Sequence, residues 1–279
     1  MNIPYFDFGG DGAALHFLHA NGYPPDCYKP LFDLLKKDYH LFGMTLRPLW
    51  PDSKIKDIHD WRPFSDDLLH FLSDRQTDPV IGVGHSIGGI VTLRAAVRDP
   101  RKFRALILLE PVLFVPSFLV MWNLVRAVGL GNKLHPKIAG ALKRRRTFDN
   151  IVMIFRGYRS REVFKYMSDE SLLAYIEGIT SQRSDGSFEL AYSPEWESHI
   201  YLTGLRDFDL WRGLAKLDLP TLIIRSAETD TFLENAARLV KQKQPKVKIE
   251  TLEKSTHILP LERPQEVFNI MRSFLKEIL

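Results

Sequence analysis

Gly84-His85-Ser86-Ile87-Gly88, followed by Gly89, is the stretch that decides how this chain is read. Residues 79–83 before it are an apolar run of strand length. Residues 87–98 after it are apolar nearly all round, which predicts a deeply buried helix. A serine at such a junction sits in a tight turn with strained dihedrals, so its hydroxyl stands clear of the sheet. Strand and helix then approach so closely that side chains two residues either side of the serine collide. Gly84 and Gly88 remove that collision, and Gly89 lets the helix pack. The plain alternative is a glycine-rich turn with an incidental serine.

Working outward, strands and amphipathic helices alternate. Residues 14–18, 39–45, 79–83 and 105–109 read as strands. Residues 28–37, 61–72 and 87–98 read as the helices between them, and Asp99-Pro100 stops the last. This rhythm predicts an α/β fold, a mostly parallel sheet with helices on both faces. It breaks from about Pro111 to Trp211, where helical patterns dominate and no segment reads as a strand of comparable quality. It resumes with strands at 219–225 and 247–252 and helices at 232–241 and from 264 onward. In the last helix Val267, Ile270, Met271, Phe274 and Ile278 fall on one face. The predicted layout is an α/β core of residues 1–110 and 212–279, with a helical cap of residues 111–211 inserted after the fourth clear strand.

A serine hydroxyl needs a base to become a good nucleophile. Of the nine histidines, His257 follows the last strand, at the carboxyl edge of the sheet that also carries Ser86. A carboxylate must in turn fix the imidazole tautomer. Glu228 and Asp230 follow the preceding strand, and the longer loop favours Asp230. Glu110 ends the fourth strand and is a further candidate acid; otherwise it is a structural carboxylate bonded to loop amides. An oxyanion is best met by the backbone N–H of Ile87, at a helix start, and by that of Asn21 or Ala20 in the loop after the first strand. His19 is expected to hold that loop in shape, and His85 to support the turn.

Bulk properties narrow the classes. The chain has 279 residues, 45% hydrophobic and 26% charged, enough for a sizeable core. A net charge of +4 is too mild and dispersed to imply nucleic acid. One cysteine, Cys27, excludes an intrachain disulfide and points to no oxidising compartment. The first residues lack a basic start followed by an apolar run, and no stretch of 18 apolar residues is uninterrupted. A cytoplasmic location is the default expectation. No histidine or cysteine cluster has metal-ligand spacing, and no Gly-x-Gly-x-x-Gly follows a strand, so neither metal nor dinucleotide cofactor is expected.

Four segments occur in an order that resembles the α/β-hydrolase superfamily, specifically its cap-bearing members: LHANGYP (18–24), GHSIGG (84–89), SAETD (226–230) and THILPLERP (256–264). The resemblance runs from Ala14 to the C-terminus, apart from the insertion. It implies acyl transfer to water, as in an esterase, a lipase-like enzyme or a thioesterase, with Asp230 matching the family acid and Asn21 the usual oxyanion donor. Ala20 departs from the glycine usual at that position. Serine as nucleophile argues against the dehalogenase and epoxide hydrolase branches. The expected function is cleavage of a hydrophobic ester through an acyl-enzyme. Alternatives are the same triad acting on a carbon–carbon, amide or thioester bond or in perhydrolysis, and a non-catalytic ligand-binding member of the fold.

In capped relatives the insertion shapes the acyl pocket. Here Phe114, Phe118 and Trp122 are apolar enough to line one, or to form ordinary cap core. Tyr23, Arg47 and Trp50 lie in loops after strands and are expected to rim the entrance. Residues 133–161 hold nine Lys or Arg and one acid, Asp149. Their plain reading is a solvated helix face; the sharper one is attraction of the cap to an anionic membrane or an acidic substrate.

Overall fold

A computed structural model describes residues 2–278 of the chain. The first half builds β1 (Tyr5–Gly9), β2 (Ala13–Leu18), α1 (Lys29–Leu35), β3 (Tyr39–Met44), α2 (Arg62–Asp74), β4 (Val80–His85), α3 (Ile87–Arg98) and β5 (Phe103–Leu109). The insertion follows as α4 (Pro116–Ala127), α5 (Gly131–Leu134), α6 (Pro136–Leu142), β6 (Thr147–Phe148), α7 (Ile151–Arg159), α8 (Asp169–Ile179), β7 (Thr180–Gln182), β8 (Phe188–Leu190) and α9 (Pro194–Thr203). The chain closes with α10 (Phe208–Leu214), β9 (Thr221–Glu228), α11 (Glu234–Lys243), β10 (Lys248–Thr256), α12 (Leu259–Glu262) and α13 (Pro264–Ile278).

The main sheet has the order β1-β3-β2-β4-β5-β9-β10; β1 is antiparallel to β3 and every other pairing is parallel. It is an α/β fold of the expected kind. Strand side chains alternate between two apolar layers, as a sheet covered on both faces requires. Along β5, Leu106 and Leu108 pack with α2 and α3, while Ala105, Ile107 and Leu109 pack with α1 and α13. Both layers of β5 are fully buried. Each Leu or Ile enclosed this way stabilises the fold by about 1.5–3 kcal/mol before entropy is counted.

The structure adds two things to the strand pattern. β1 is an edge strand that the sequence reading did not include. Within the insertion, where helical patterns dominate the sequence, β6, β8 and β7 add a small antiparallel sheet of short strands. α10 straddles the expected boundary at 211 and already packs on α3 of the core. There the buried Arg94 guanidinium pairs with Asp207 and Asp209. No helix among the described residues is long and apolar enough to cross a membrane.

Candidate active site

Ser86 sits between β4 and α3 with φ 57° and ψ −119°, in the positive-φ region that L-residues seldom adopt. A Cβ on Gly84 would lie 2.3 Å from the Gly88 carbonyl oxygen, and one on Gly88 only 2.1 Å from that of Leu18. Both glycines are therefore required by backbone crowding. The Ser86 N–H donates to the Leu109 carbonyl at 3.0 Å, which fastens the turn to the neighbouring strand.

His257 lies in the turn after β10, and its Nε2 is 2.9 Å from Ser86 Oγ. Its Nδ1 is 3.0 Å from Thr231 Oγ1 and 3.5 Å from Glu110 Oε2. Glu110 is fully buried and has φ 45° just past β5. Its carboxylate accepts from the Ser226 N–H at 2.5 Å, the Thr229 hydroxyl at 2.7 Å and the Thr231 hydroxyl at 3.0 Å. Since Thr231 donates to Glu110, its oxygen is free to accept from His257 Nδ1–H. That leaves Nε2 as the acceptor facing the serine hydroxyl. A base held in this tautomer can take the serine proton.

The carboxylate nearest His257 Nδ1 is that of Glu110, while Asp230, the expected acid, pairs with Lys137. The reason is positional. β5 adjoins the serine strand directly, and the positive φ at its end turns the Glu110 side chain across the strand ends. Asp230 lies farther out, half-exposed, with its carboxylate 2.8 Å from Lys137 Nζ of the cap. Burial pushes its pKa up, but Lys137 and then His257 outweigh this and hold it below the usual carboxylate value. Glu228 likewise turns to the cap, 2.9 Å from Lys165 Nζ and 2.5 Å from Tyr166 Oη. Both acids therefore pair with lysines of the insertion.

A second buried chain joins the loops around Ser86. His85 Nε2–H donates to the His257 carbonyl at 2.8 Å, so His85 Nδ1 accepts from the Tyr28 hydroxyl at 2.7 Å. Tyr28 Oη in turn accepts from the Ala20 N–H at 3.1 Å. That bond occupies Ala20, one of the expected oxyanion donors, and leaves Asn21 and Ile87. Ile87 opens α3, where the first N–H groups have no intrahelical acceptor. The Asn21 side chain is pinned to the cap, donating to the Glu197 carbonyl at 3.0 Å and accepting from Tyr192 at 2.9 Å. His19 bridges its loop to the segment after β3, through Nδ1–H to the Ala20 carbonyl at 2.8 Å and Nε2 from the Leu46 N–H at 3.0 Å. Burial holds the His19 pKa down at about 4 and that of His85 well below its ordinary value. Tyr28, Thr229 and Thr231 escaped the sequence reading because single hydroxyls carry no spacing signal.

Serine, imidazole and carboxylate thus meet at the sheet edge. A profile of the alpha/beta hydrolase family matches residues 17–270. The chain belongs to the alpha/beta hydrolase family. Among curated proteins, this α/β-hydrolase is 29% identical over 111 residues to a type I acyl-CoA thioesterase of Penicillium brevicompactum, covering 34% of the chain and 25% of the relative. It is also 29% identical over 107 residues to a pimeloyl-[acyl-carrier protein] methyl ester esterase of Legionella pneumophila, covering 38% and 41%. The α/β-hydrolase thus spans a quarter to two-fifths of the length of these relatives. The crystal structure of an E-2-(acetamidomethylene)succinate hydrolase superposes with TM-score 0.76 at 16% identity, over 98% of this chain and 94% of that one.

The expected pocket residues of the α/β-hydrolase separate into groups. Tyr23 stands beside the elbow, its ring centroid 6.2 Å from that of His85 and 5.4 Å from Tyr175. Phe114 and Phe118 stack at 4.5 Å, and Trp122 meets His135, which stacks on Tyr201. Trp50 belongs to the β3 loop, donating from Nε1 to the Thr45 carbonyl at 2.8 Å under the Arg47 guanidinium.

Proposed function

We propose that this α/β-hydrolase is a serine hydrolase that cleaves an acyl bond through an acyl-enzyme, with Ser86 as nucleophile, His257 as general base and Glu110 as the acid. The observation that carries this reading is the 2.9 Å contact between Ser86 Oγ and His257 Nε2, backed by Glu110 and Thr231 at Nδ1. In the first half-reaction His257 takes the hydroxyl proton as Ser86 Oγ bonds to the acyl carbon. The N–H groups of Ile87 and Asn21 meet the resulting oxyanion. The carboxylate of Glu110 and the oxygen of Thr231 stabilise the imidazolium. His257 then passes its proton to the leaving group, and the bond between the acyl carbon and that group breaks. In the second half-reaction water, deprotonated by His257, bonds to the acyl carbon, the bond from that carbon to Ser86 Oγ breaks, Oγ takes the proton back from His257, and the acid product leaves.

The substrate side of the proposal is a hydrophobic ester, supported by the aromatic groups Phe114–Phe118 and Trp122–His135–Tyr201 in the cap. A thioester is the second reading, favoured by the relative described as an acyl-CoA thioesterase. A fluorophosphonate probe followed by mapping of the modified residue tests the nucleophile. Labelling at Ser86 that disappears in Ser86→Ala and fades in His257→Ala is expected; labelling elsewhere, or none, removes the proposal. Turnover of p-nitrophenyl esters of increasing chain length, set beside acyl-CoA hydrolysis, separates the two substrate readings.

A further inference from the structure

The cap carries a face that the fold leaves uncovered. α4 turns Leu119 and Trp122 inward, yet its outer side is apolar as well. Val120, Met121, Leu124 and Val128 point outward, with Leu124 64% and Val128 69% exposed. Their spacing of one, three and four makes a single stripe, and Leu130 and Leu134 continue it toward α5. A helix apolar on both sides is ordinarily enclosed. Here the second side meets water.

The charge along this part of the chain has one sign. Residues 111–146 contain seven Lys or Arg and no Asp or Glu. Four are answered by carboxylates from elsewhere: Lys137 by Asp230, Arg144 by Glu197, Arg145 by Asp149 and Arg146 by Glu195. The basic run 143–146, which looked in sequence like the natural anion contact, is therefore mostly neutralised within the cap. Arg126, Lys133 and Lys143 make no ion pair among the described residues, and both lysines are exposed.

Beside the stripe lies a cleft of about 430 Å³. Asn123, Arg126 and Asn132 line one side, His59, His199 and Arg206 the other, and no lining residue is acidic. Arg126 is held by the Gly204 carbonyl, which accepts from Nη1 at 2.8 Å. Burial and then the neighbouring Arg206 lower its pKa, Asp60 nearby offsets this only in part, and an anion in the cleft would relieve the remainder.

We propose that the α4–α5 face docks on an anionic phospholipid bilayer, the stripe entering the acyl boundary and the Arg126–Arg206 cleft receiving a lipid phosphate. An apolar face bordered by cations suits such a surface. It does not suit a second copy of the chain, because a two-fold contact sets each cation against its own kind. Docking is peripheral, and it is independent of which bond the active site cleaves.

The experiment is co-sedimentation of the full chain with vesicles of phosphatidylcholine alone or mixed with phosphatidylserine, at low and high salt. Binding at low salt should favour the mixed vesicles by about tenfold or more and fall away at high salt. Leu124→Glu with Val128→Glu should abolish it. Arg126→Gln with Arg206→Gln should remove the preference for anionic lipid while leaving weak binding. Melting temperatures close to that of the unsubstituted chain show that these variants fold, and Ser86→Ala should bind normally, since no turnover is read. Equal binding to both vesicle types, binding that survives the α4 substitutions, or a dimer in solution that those substitutions dissociate would each overturn the proposal.

Discussion

Glu110 and Asp230 carry the same charge and stand at neighbouring strand ends, yet only Glu110 reaches His257 Nδ1, at 3.5 Å. Glu110→Gln should therefore lower kcat by about two to four orders of magnitude, while Asp230→Asn should change it by less than about threefold. Steady-state kinetics on a soluble ester decide between them, and the opposite ranking would return the acid to the β9 loop. Thr231 adds a finer test. Its hydroxyl stands between His257 and Glu110, so Thr231→Val should depress kcat about tenfold or more with KM nearly unchanged, and Thr231→Ser should restore it. That Ser86 and His257 meet was legible in sequence because each follows a parallel strand, and the carboxyl ends of parallel strands lie at one sheet edge. Which carboxylate lies beside His257 was not, because three carboxylates follow strands at that edge. The choice among them rests on a positive φ at residue 110 and on a lysine contributed by the cap.

Among the elements, the β4–α3 junction and the loops beside it tolerate least. Gly88→Ala would drive a Cβ into the Leu18 carbonyl at 2.1 Å, costing about 3 kcal/mol or more. A calorimetric scan should show a loss of several degrees or no folded protein, and an unchanged melting temperature would contradict the crowding. Tyr28→Phe leaves the Ala20 N–H and His85 Nδ1 without partners. It should cost about 2 kcal/mol and lower kcat as well, since one hydroxyl ties the oxyanion loop to the histidine loop. The parallel strands were readable because, buried on both faces, they are nearly continuous apolar runs. β1 was not: YFDFG at an edge is half-exposed and carries no such run. The cap strands, two or three residues long, are shorter than any periodicity can register.

Across the whole molecule, acid should act through histidines held neutral inside. Burial sets the His16 pKa at about 3 and those of His19 and His135 at about 4, against an ordinary 6.5, and pushes His85 far down too. Between these values the unfolded chain binds protons that the folded chain refuses. Stability is therefore complete above pH 6.5 and lost as pH falls toward 4, by on the order of 2 kcal/mol for each such group. Melting temperature followed from pH 7 to pH 4.5 should drop steadily, and a flat profile would mean that these rings are protonated in the native state. The composition of the chain foretold a large core, but not that polar rings would be enclosed in it.

Glu110 is also the last core residue before the chain departs into the cap. Ser86 and Glu110 consequently share one uninterrupted strand–helix–strand segment, and everything from Pro111 to the end of α9 attaches downstream of both. A transplant that exchanges the cap for that of another hydrolase can keep the reacting groups in register, provided the seam is cut after residue 110. A cut one residue earlier would carry the carboxylate away with the graft.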